Sequence, residues 1–338
     1  MKMKILITGG AGFIGSNLCE HFLEKGHEVV CMDNLSTGKK ENIADLLANP
    51  NFAFRKDDIR DLEACKKAVH KCDYVLHQAA LGSVPRSIND PLTTNEVNIN
   101  GFLNMLTAAR DEGVKRFVYA ASSSTYGDSK MLPKVEDKIG TPQSPYAITK
   151  YVNELYAQIF SKLYGIETIG LRYFNVFGKR QDPYGPYAAV IPLWVKAFIH
   201  KEQPQINGDG SFSRDFTYIA NVAQANEKAL FTPTAVIRER AATYNLVLPE
   251  EEAISMVFNV AFGGNTTLNA LFHILRDNLS RHDAAIATIT PHYREERLGD
   301  IPHSQASIVK AKRILDYDPQ YSAKQGFALA CEWYYNNL

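Results

Sequence analysis

The sequence is short of the features that define several classes of protein. Only five of its 338 residues are cysteine (Cys19, Cys31, Cys65, Cys72, Cys331), with no C-x-x-C pair and no zinc-like spacing. That pattern excludes a disulfide framework or a thiolate metal centre, and an odd, scattered set fits reduced thiols in a cytoplasmic protein. No apolar run approaches the roughly 18 residues of a membrane span. Glycines interrupt MKMKILITGG (1–10) too early for a secretion signal. Net charge is missing as well, since 37 Lys and Arg balance 37 Asp and Glu. No general pull toward nucleic acid or an anionic membrane is expected, so an anionic ligand must be held by a few placed groups.

What is present is ordinary globular material, 45% apolar and 22% charged, in a chain long enough for two linked lobes. Short apolar runs at 4–8, 27–32, 51–54, 73–77, 116–120 and 167–174 alternate with helical spacing at 13–25, 39–48, 61–70, 95–112 and 145–164. Such alternation predicts an α/β fold: a Rossmann-type doubly wound parallel sheet, with ligands at the carboxyl ends of its strands. After residue 178 the rhythm breaks at GKRQDPYGPY (178–187) and INGDGSFSRD (206–215), and helical segments recur at 189–201, 219–230, 267–279 and 305–315. Residues 1–178 are thus expected to form a dinucleotide-binding domain, and 179–338 mainly a smaller mixed α/β lobe that binds substrate. FNVAF (258–262) is a candidate strand returning to the sheet, and 231–255 reads as a polar, irregular surface excursion.

TGGAGFIG (8–15) sets Gly9, Gly12 and Gly15 between the first strand and the first helix. Glycines there let the backbone turn tightly and approach a pyrophosphate, whose charge sits at the helix N-terminus. Asp33 stands at the end of the second strand, 18 residues after Gly15. Its carboxylate suits ribose hydroxyls and would repel a 2′-phosphate, despite Lys39 and Lys40 nearby, so the expected cofactor is NAD.

The G-x-x-G-x-x-G spacing resembles that of the extended short-chain dehydrogenase/reductase superfamily. The resemblance implies cofactor contacts from Phe13, Ile14, Asn34, Ser36, Thr37, Gly38 and Tyr173, from Asp58 and Ile59 near the adenine, and from Gln78, Ala79 and Ala80 beneath the cofactor. It also matches Asn98, in NINGF (98–102), to an asparagine that orders a proton-relay water; a plain helix-start residue explains Asn98 equally well.

SPYAITK (144–150) puts Tyr146 and Lys150 at i and i+4, on one helix face. A free phenol, with a pKa near 10, is a poor base at neutral pH. A nearby ammonium and a positive nicotinamide would favour the phenolate, letting Tyr146 take a proton from a sugar hydroxyl. In the superfamily the catalytic hydroxyl lies five residues before the glycine of a Y-G pair, which here selects Ser122 and leaves Ser123 and Ser124 for substrate contacts. Dehydratases and decarboxylases of the superfamily carry an acidic residue just after that hydroxyl. This chain has Ser123, Ser124 and Thr125 instead, which favours reversible oxidation and reduction at one carbon, as in C4 epimerisation.

For a UDP-sugar, SRDF (213–216) and YREERLGD (293–300) match epimerase motifs in which Arg214 and Arg297 hold phosphate and Asp300 the ribose. Asn175 is placed beside the diphosphate, and Ala189 and Val190 in the loop that meets uracil. AALGSVPRSIND (79–90), AASSSTYGD (120–128), RYFNVFGKRQDP (172–183) and GDIPHSQA (299–306) resemble bacterial UDP-N-acetylglucosamine 4-epimerases of surface-polysaccharide pathways. Gly82 and Ser83 stand where galactose-type enzymes have lysine. Ser304 stands where a bulky tyrosine would exclude an N-acetyl group. The implied activity is NAD-dependent interconversion of UDP-GlcNAc and UDP-GalNAc. The uronic acid remains an alternative, with Arg86, Arg180, Ser83 or Gln181 as candidate C6 partners, as does UDP-glucose. A non-catalytic NAD-sensing module is the distant alternative, opposed by the presence of both Tyr146 and Lys150. Apolar residues on several faces of 95–112 and 145–164 (Phe102, Met105, Leu155, Ile159) fit either internal packing or the superfamily's homodimer, and the dimer is the reading preferred.

Overall fold

The computed structural model describes residues 2–184, 188–296 and 302–338. Strands β1 (Lys4–Thr8), β2 (Glu28–Met32), β3 (Phe52–Arg55), β4 (Tyr74–His77), β5 (Arg116–Ser122), β6 (Glu167–Tyr173) and β7 (Ser255–Val260) form one sheet. All its pairings are parallel, in the order 7-6-5-4-1-2-3. The direction of winding reverses between β1 and β4, the switch point where doubly wound sheets bind ligands.

The sheet's apolar runs are continuous because both its faces are covered. On one face Ile5, Ile7, Leu76 and Val118 pack with Leu18 and Phe22 of the Phe13–Glu24 helix and Val222 and Ala225 of the Ile219–Phe231 helix. On the other, Leu6, Val75, Phe117 and Tyr119 meet Phe102, Met105 and Leu106 of the Phe102–Glu112 helix and Ala157 and Phe160 of the Pro145–Tyr164 helix. A third core joins helices Val190–Ile199, Leu268–Leu279 and Ala323–Asn337 through Trp194, Phe198, Phe272 and Phe327. Beside it, strand Ser213–Arg214 lies between Thr266–Thr267 and His303–Ser304. Among the described residues no helix is long and apolar enough to cross a membrane.

Several expectations are corrected. Residues 234–243 form a helix rather than an irregular excursion, because Ile237 and Ala241, one turn apart, bury completely. The expected 95–112 helix is three pieces: Pro91–Asn95, a π-helical turn Glu96–Gly101, and Phe102–Glu112. Phe102 and Met105 are fully buried in the chain's own core, so they supply no surface for a second copy. Residues 40–46 are 3₁₀-helical, and the expected 305–315 helix begins only at Val309, because the backbone of 305–307 is spent on Lys134, whose N–H donates to the Gln305 carbonyl and whose carbonyl accepts from the Ser307 N–H.

Candidate active site

The glycine turn is shaped by close backbone approach. Gly9 has φ +66°, and a Cβ there would lie 2.7 Å from the Ala79 nitrogen. A Cβ on Gly15 would lie 2.1 Å from the Gly9 carbonyl oxygen, a distance no side chain tolerates. Gly12 is the N-cap of the Phe13–Glu24 helix and brings no capping side chain, leaving the first-turn N–H groups to face the cleft. A cavity of about 310 Å³ opens here, lined by Gly9, Gly12, Phe13, Ile14, Gly15, Asp33, Asn34, Ser36, Thr37, Asp58, Ile59, Gln78, Ala79, Ala80 and Gly82. Nearly every predicted cofactor residue of the first four strand ends is therefore in one place.

Asp33 is buried, and its carboxylate accepts from the Ala11 N–H (3.0 Å) and the Leu35 N–H (2.8 Å). Burial raises its pKa while those backbone donors oppose the rise. Gly38 packs so tightly that a Cβ would come within 2.8 Å of both Asp33 oxygens. Asp58 accepts from Arg60 and from Asn34 Nδ2 (2.8 Å), and these donors, Arg60 foremost, lower its pKa to about 2. A buried carboxylate, Asp33, suited to ribose hydroxyls, a backbone cradle without Cβ atoms and an uncapped helix start together fit NAD. Lys39 is paired with Asp182 at 2.9 Å.

The residues predicted to be catalytic come from the end of β5 and the Pro145–Tyr164 helix. Ser144 caps the Pro145–Tyr164 helix, accepting from the Ala147 N–H at 3.1 Å, with Pro145 at its first position. That start places half-buried Tyr146 one turn before buried Lys150. The Lys150 ammonium donates to the Ala120 carbonyl (2.8 Å) and sits 6.0 Å from the Tyr146 ring centroid. Desolvation lowers its pKa to about 8, against the pull of Glu154. Ser124 Oγ donates to Ser122 Oγ at 2.9 Å, the Ser124 N–H adds a bond at 3.1 Å, and the Ser122 hydroxyl lies near enough to Tyr146 to act on its charge. Burial raises the Tyr146 pKa, and the nearby Ser122 hydroxyl opposes part of that rise. Asn98 accepts from the Leu81 N–H (2.8 Å) and donates to Thr149 Oγ1 (3.1 Å), tying the β4 loop to the catalytic helix. Tyr173 donates to Gln78 Oε1 (3.1 Å) and is bonded to Asn226.

Of the residues predicted to bind substrate, Arg214 is half-buried and donates to the Ser213 and Pro302 carbonyls. Ser304 pairs with Arg214 across the small sheet. Asn175, with φ +36°, donates to the Asp215 carbonyl (3.0 Å). Gln181 is turned inward onto the Val176 carbonyl and the Tyr334 hydroxyl. Arg180 is held by Glu20 and the Ser16 carbonyl. Ser83 caps the Val84–Asn89 helix that carries half-buried Arg86, and Ala189 caps Val190–Ile199. Ser123 lies half-buried in the 3₁₀ turn Ser123–Tyr126. Arg297 and Asp300 lie outside the described residues.

Two features escaped the sequence reading. Glu154, a further turn beyond Lys150, forms a buried two-point ion pair with Arg172 (2.9 and 2.7 Å). The Arg172 guanidinium also stacks 4.8 Å from the Tyr126 ring centroid, joining the catalytic helix to the serine turn. The spacing Tyr146–Lys150–Glu154 was the available signal. The second feature is Asp215, considered below.

Fold and site together define a nicotinamide-dependent enzyme of the short-chain dehydrogenase/reductase kind. The sequence signature described as the NAD dependent epimerase/dehydratase family matches residues 5–246. The chain is 35% identical over 335 residues to a putative UDP-glucose 4-epimerase of Methanocaldococcus jannaschii, covering 98% of this chain and 99% of the relative. It is 32% identical over 343 residues to a UDP-glucuronate 4-epimerase of Thermodesulfobacterium geofontis, with coverage of 98% and 96%. The solved UDP-N-acetylglucosamine 4-epimerase from Methanobrevibacter ruminantium, in complex with UDP-N-acetylmuramic acid, superimposes with TM-score 0.87 at 35% identity, covering all of both chains. The chain belongs to the NAD-dependent epimerase/dehydratase family, within the extended short-chain dehydrogenases/reductases, and its cofactor is NAD.

Proposed function

We propose that this chain interconverts UDP-GlcNAc and UDP-GalNAc by epimerisation at the sugar C4. The carrying observation is the Ser124–Ser122 hydroxyl pair beside Tyr146 and buried Lys150, with no carboxylate at positions 123–125. Dehydration needs an acid and a base placed to remove water, and those positions offer only hydroxyls. NAD supplies reversible oxidation and reduction at C4. Tyr146 takes the C4 hydroxyl proton and later returns it. Ser122 donates to the reacting oxygen, with Ser124 donating to it from behind. The Lys150 ammonium favours the phenolate over the phenol.

Arg214, Asn175, Ala189 and Val190 hold the nucleotide in this reading, with Arg297 and Asp300 assigned to diphosphate and ribose. An anchored diphosphate leaves the keto-sugar free to turn over. Ser304 leaves room for the N-acetyl group. The uronic-acid reading draws on the glucuronate relative, yet Arg180 is bonded to Glu20 and the Ser16 carbonyl. We also read the chain as a homodimer, from Ile148, Leu155, Ile159 and Leu163, all 43–62% exposed on the catalytic helix.

A label at C4 tests the chemistry. UDP-GlcNAc deuterated at C4 should give UDP-GalNAc that keeps the deuterium at C4, with no reductant added. Loss of the label to water, or no epimer, would contradict the proposal.

A further inference from the structure

Asp215 is completely buried, and its carboxylate is surrounded by backbone donors. Oδ1 accepts from the N–H groups of Phe262 (3.3 Å) and Gly264 (3.3 Å), and Oδ2 from Ala306 (3.2 Å). The Gly263 N–H lies 3.2 and 3.1 Å from the two oxygens, aimed by a left-handed backbone at φ +86°. The Asp215 N–H donates to the Ser304 carbonyl (2.8 Å), and its own carbonyl accepts from Asn175 Nδ2 (3.0 Å). One residue thus ties together the Ser213–Arg214 strand, the loop that follows β7, the 303–306 stretch and the Asn175 turn.

Such a group is costly. Burial pushes the Asp215 pKa up to about 6 although four backbone donors oppose the rise. An apolar residue would fill the space without that penalty, so stability alone does not account for a carboxylate here. A carboxylate does what an apolar side chain cannot. It fixes the direction of several amides at once, and with them the segments that carry those amides.

We infer that Asp215 is a positioning residue for the nucleotide-sugar site, its buried carboxylate locking Arg214, Asn175 and Ser304 into one register. The inference rests on the reading of those three residues as substrate contacts. Asp215 itself, fully enclosed, touches neither sugar nor cofactor. Its loss lets the Arg214–Ser304 strand pair drift from the 262–264 loop, so binding suffers while the Ser122–Tyr146–Lys150 group stays in place.

Asp215→Asn is nearly isosteric and removes the charge, so it tests the inference without opening a cavity. Titration calorimetry of the holoenzyme with UDP-GlcNAc should show binding weakened by about tenfold, with KM raised to match and kcat and bound NAD unchanged. Wild-type affinity, or a loss shared by kcat and NAD content, would overturn the inference. Arg214→Ala serves as the control: loss of affinity in that variant with none in Asp215→Asn sinks the inference alone, whereas wild-type affinity in Arg214→Ala sinks the substrate-site reading and the inference with it.

A pH series separates positioning from folding. In the wild type, affinity for UDP-GlcNAc should fall as pH drops through about 6, because a protonated carboxyl loses acceptors for the surrounding N–H groups. Among the described residues the neighbouring charged or titratable groups are Arg214, His303 (bonded to Ser213 Oγ at 2.8 Å) and Tyr317, whose pKa is raised first by burial and then by the Asp215 charge. All three persist in Asp215→Asn, so the difference between the two profiles isolates the carboxylate. Identical profiles would contradict the inference.

Discussion

Lys150 sets the charge balance of the site. With its pKa lowered from 10.5 to about 8 by burial, it is an ammonium below that pH and neutral above it. In this account kcat falls as pH rises through about 8, because the neutral amine no longer favours the phenolate. Stability moves the other way. Between about 8 and 10.5 the native chain binds fewer protons than the unfolded one, so the unfolding free energy rises with pH across that window. Rate and denaturation profiles with opposite slopes above pH 8 are the expected result. Tyr146→Phe, by removing the acid–base group, should lower kcat by roughly 10³-fold while holoenzyme NAD content is kept. Full turnover in that variant would remove Tyr146 from the chemistry.

At the level of elements, two connections hold the site together. The first is the turn between β1 and its helix. Gly15→Ala should abolish NAD retention, because the added Cβ would meet the Gly9 carbonyl oxygen at 2.1 Å; extracting and quantifying bound nucleotide checks this. The second is the Glu154–Arg172 pair between the catalytic helix and β6. Breaking it with Glu154→Gln leaves a buried guanidinium short of its partner and should cost about 3–5 kcal/mol in denaturant unfolding. Replacing both residues with methionine should recover much of that loss. Most of this scaffold was legible because doubly covered strands read as continuous apolar runs and the glycines leave little choice of turn. The helix at 234–243 was not, since only Ile237 and Ala241 mark its buried side. Nor was the π-helical turn at Glu96–Gly101, where Asn98 reaches both Leu81 and Thr149 across the fold. Asp215 was invisible for a different reason: its partners are backbone amides 47 to 91 residues away, which no side-chain pattern encodes.

For the whole molecule, the large sheet with its cofactor cleft is joined to the small sheet that carries Arg214 and Ser304 through Asp215, which accepts from the loop after β7. The apolar row Ile148, Leu155, Ile159 and Leu163 lies on the far side of the catalytic helix from the buried Lys150 and Ala157. A second copy covering that row would give twice the 37.8 kDa chain mass by light scattering. The double substitution Leu155→Glu and Ile159→Glu should then halve the mass. Of the proposed activity, the chemistry was legible from Ser122, Tyr146 and Lys150, whereas sugar choice rests on Gly82, Ser83 and Ser304. The most direct measurement of the central claim is parallel steady-state kinetics on UDP-GlcNAc, UDP-glucose and the uronic acid of UDP-GlcNAc, with products resolved by anion-exchange chromatography. The account predicts the highest kcat/KM for UDP-GlcNAc, with UDP-GalNAc as the product. No UDP-GalNAc, with rapid conversion of either other sugar, would contradict it.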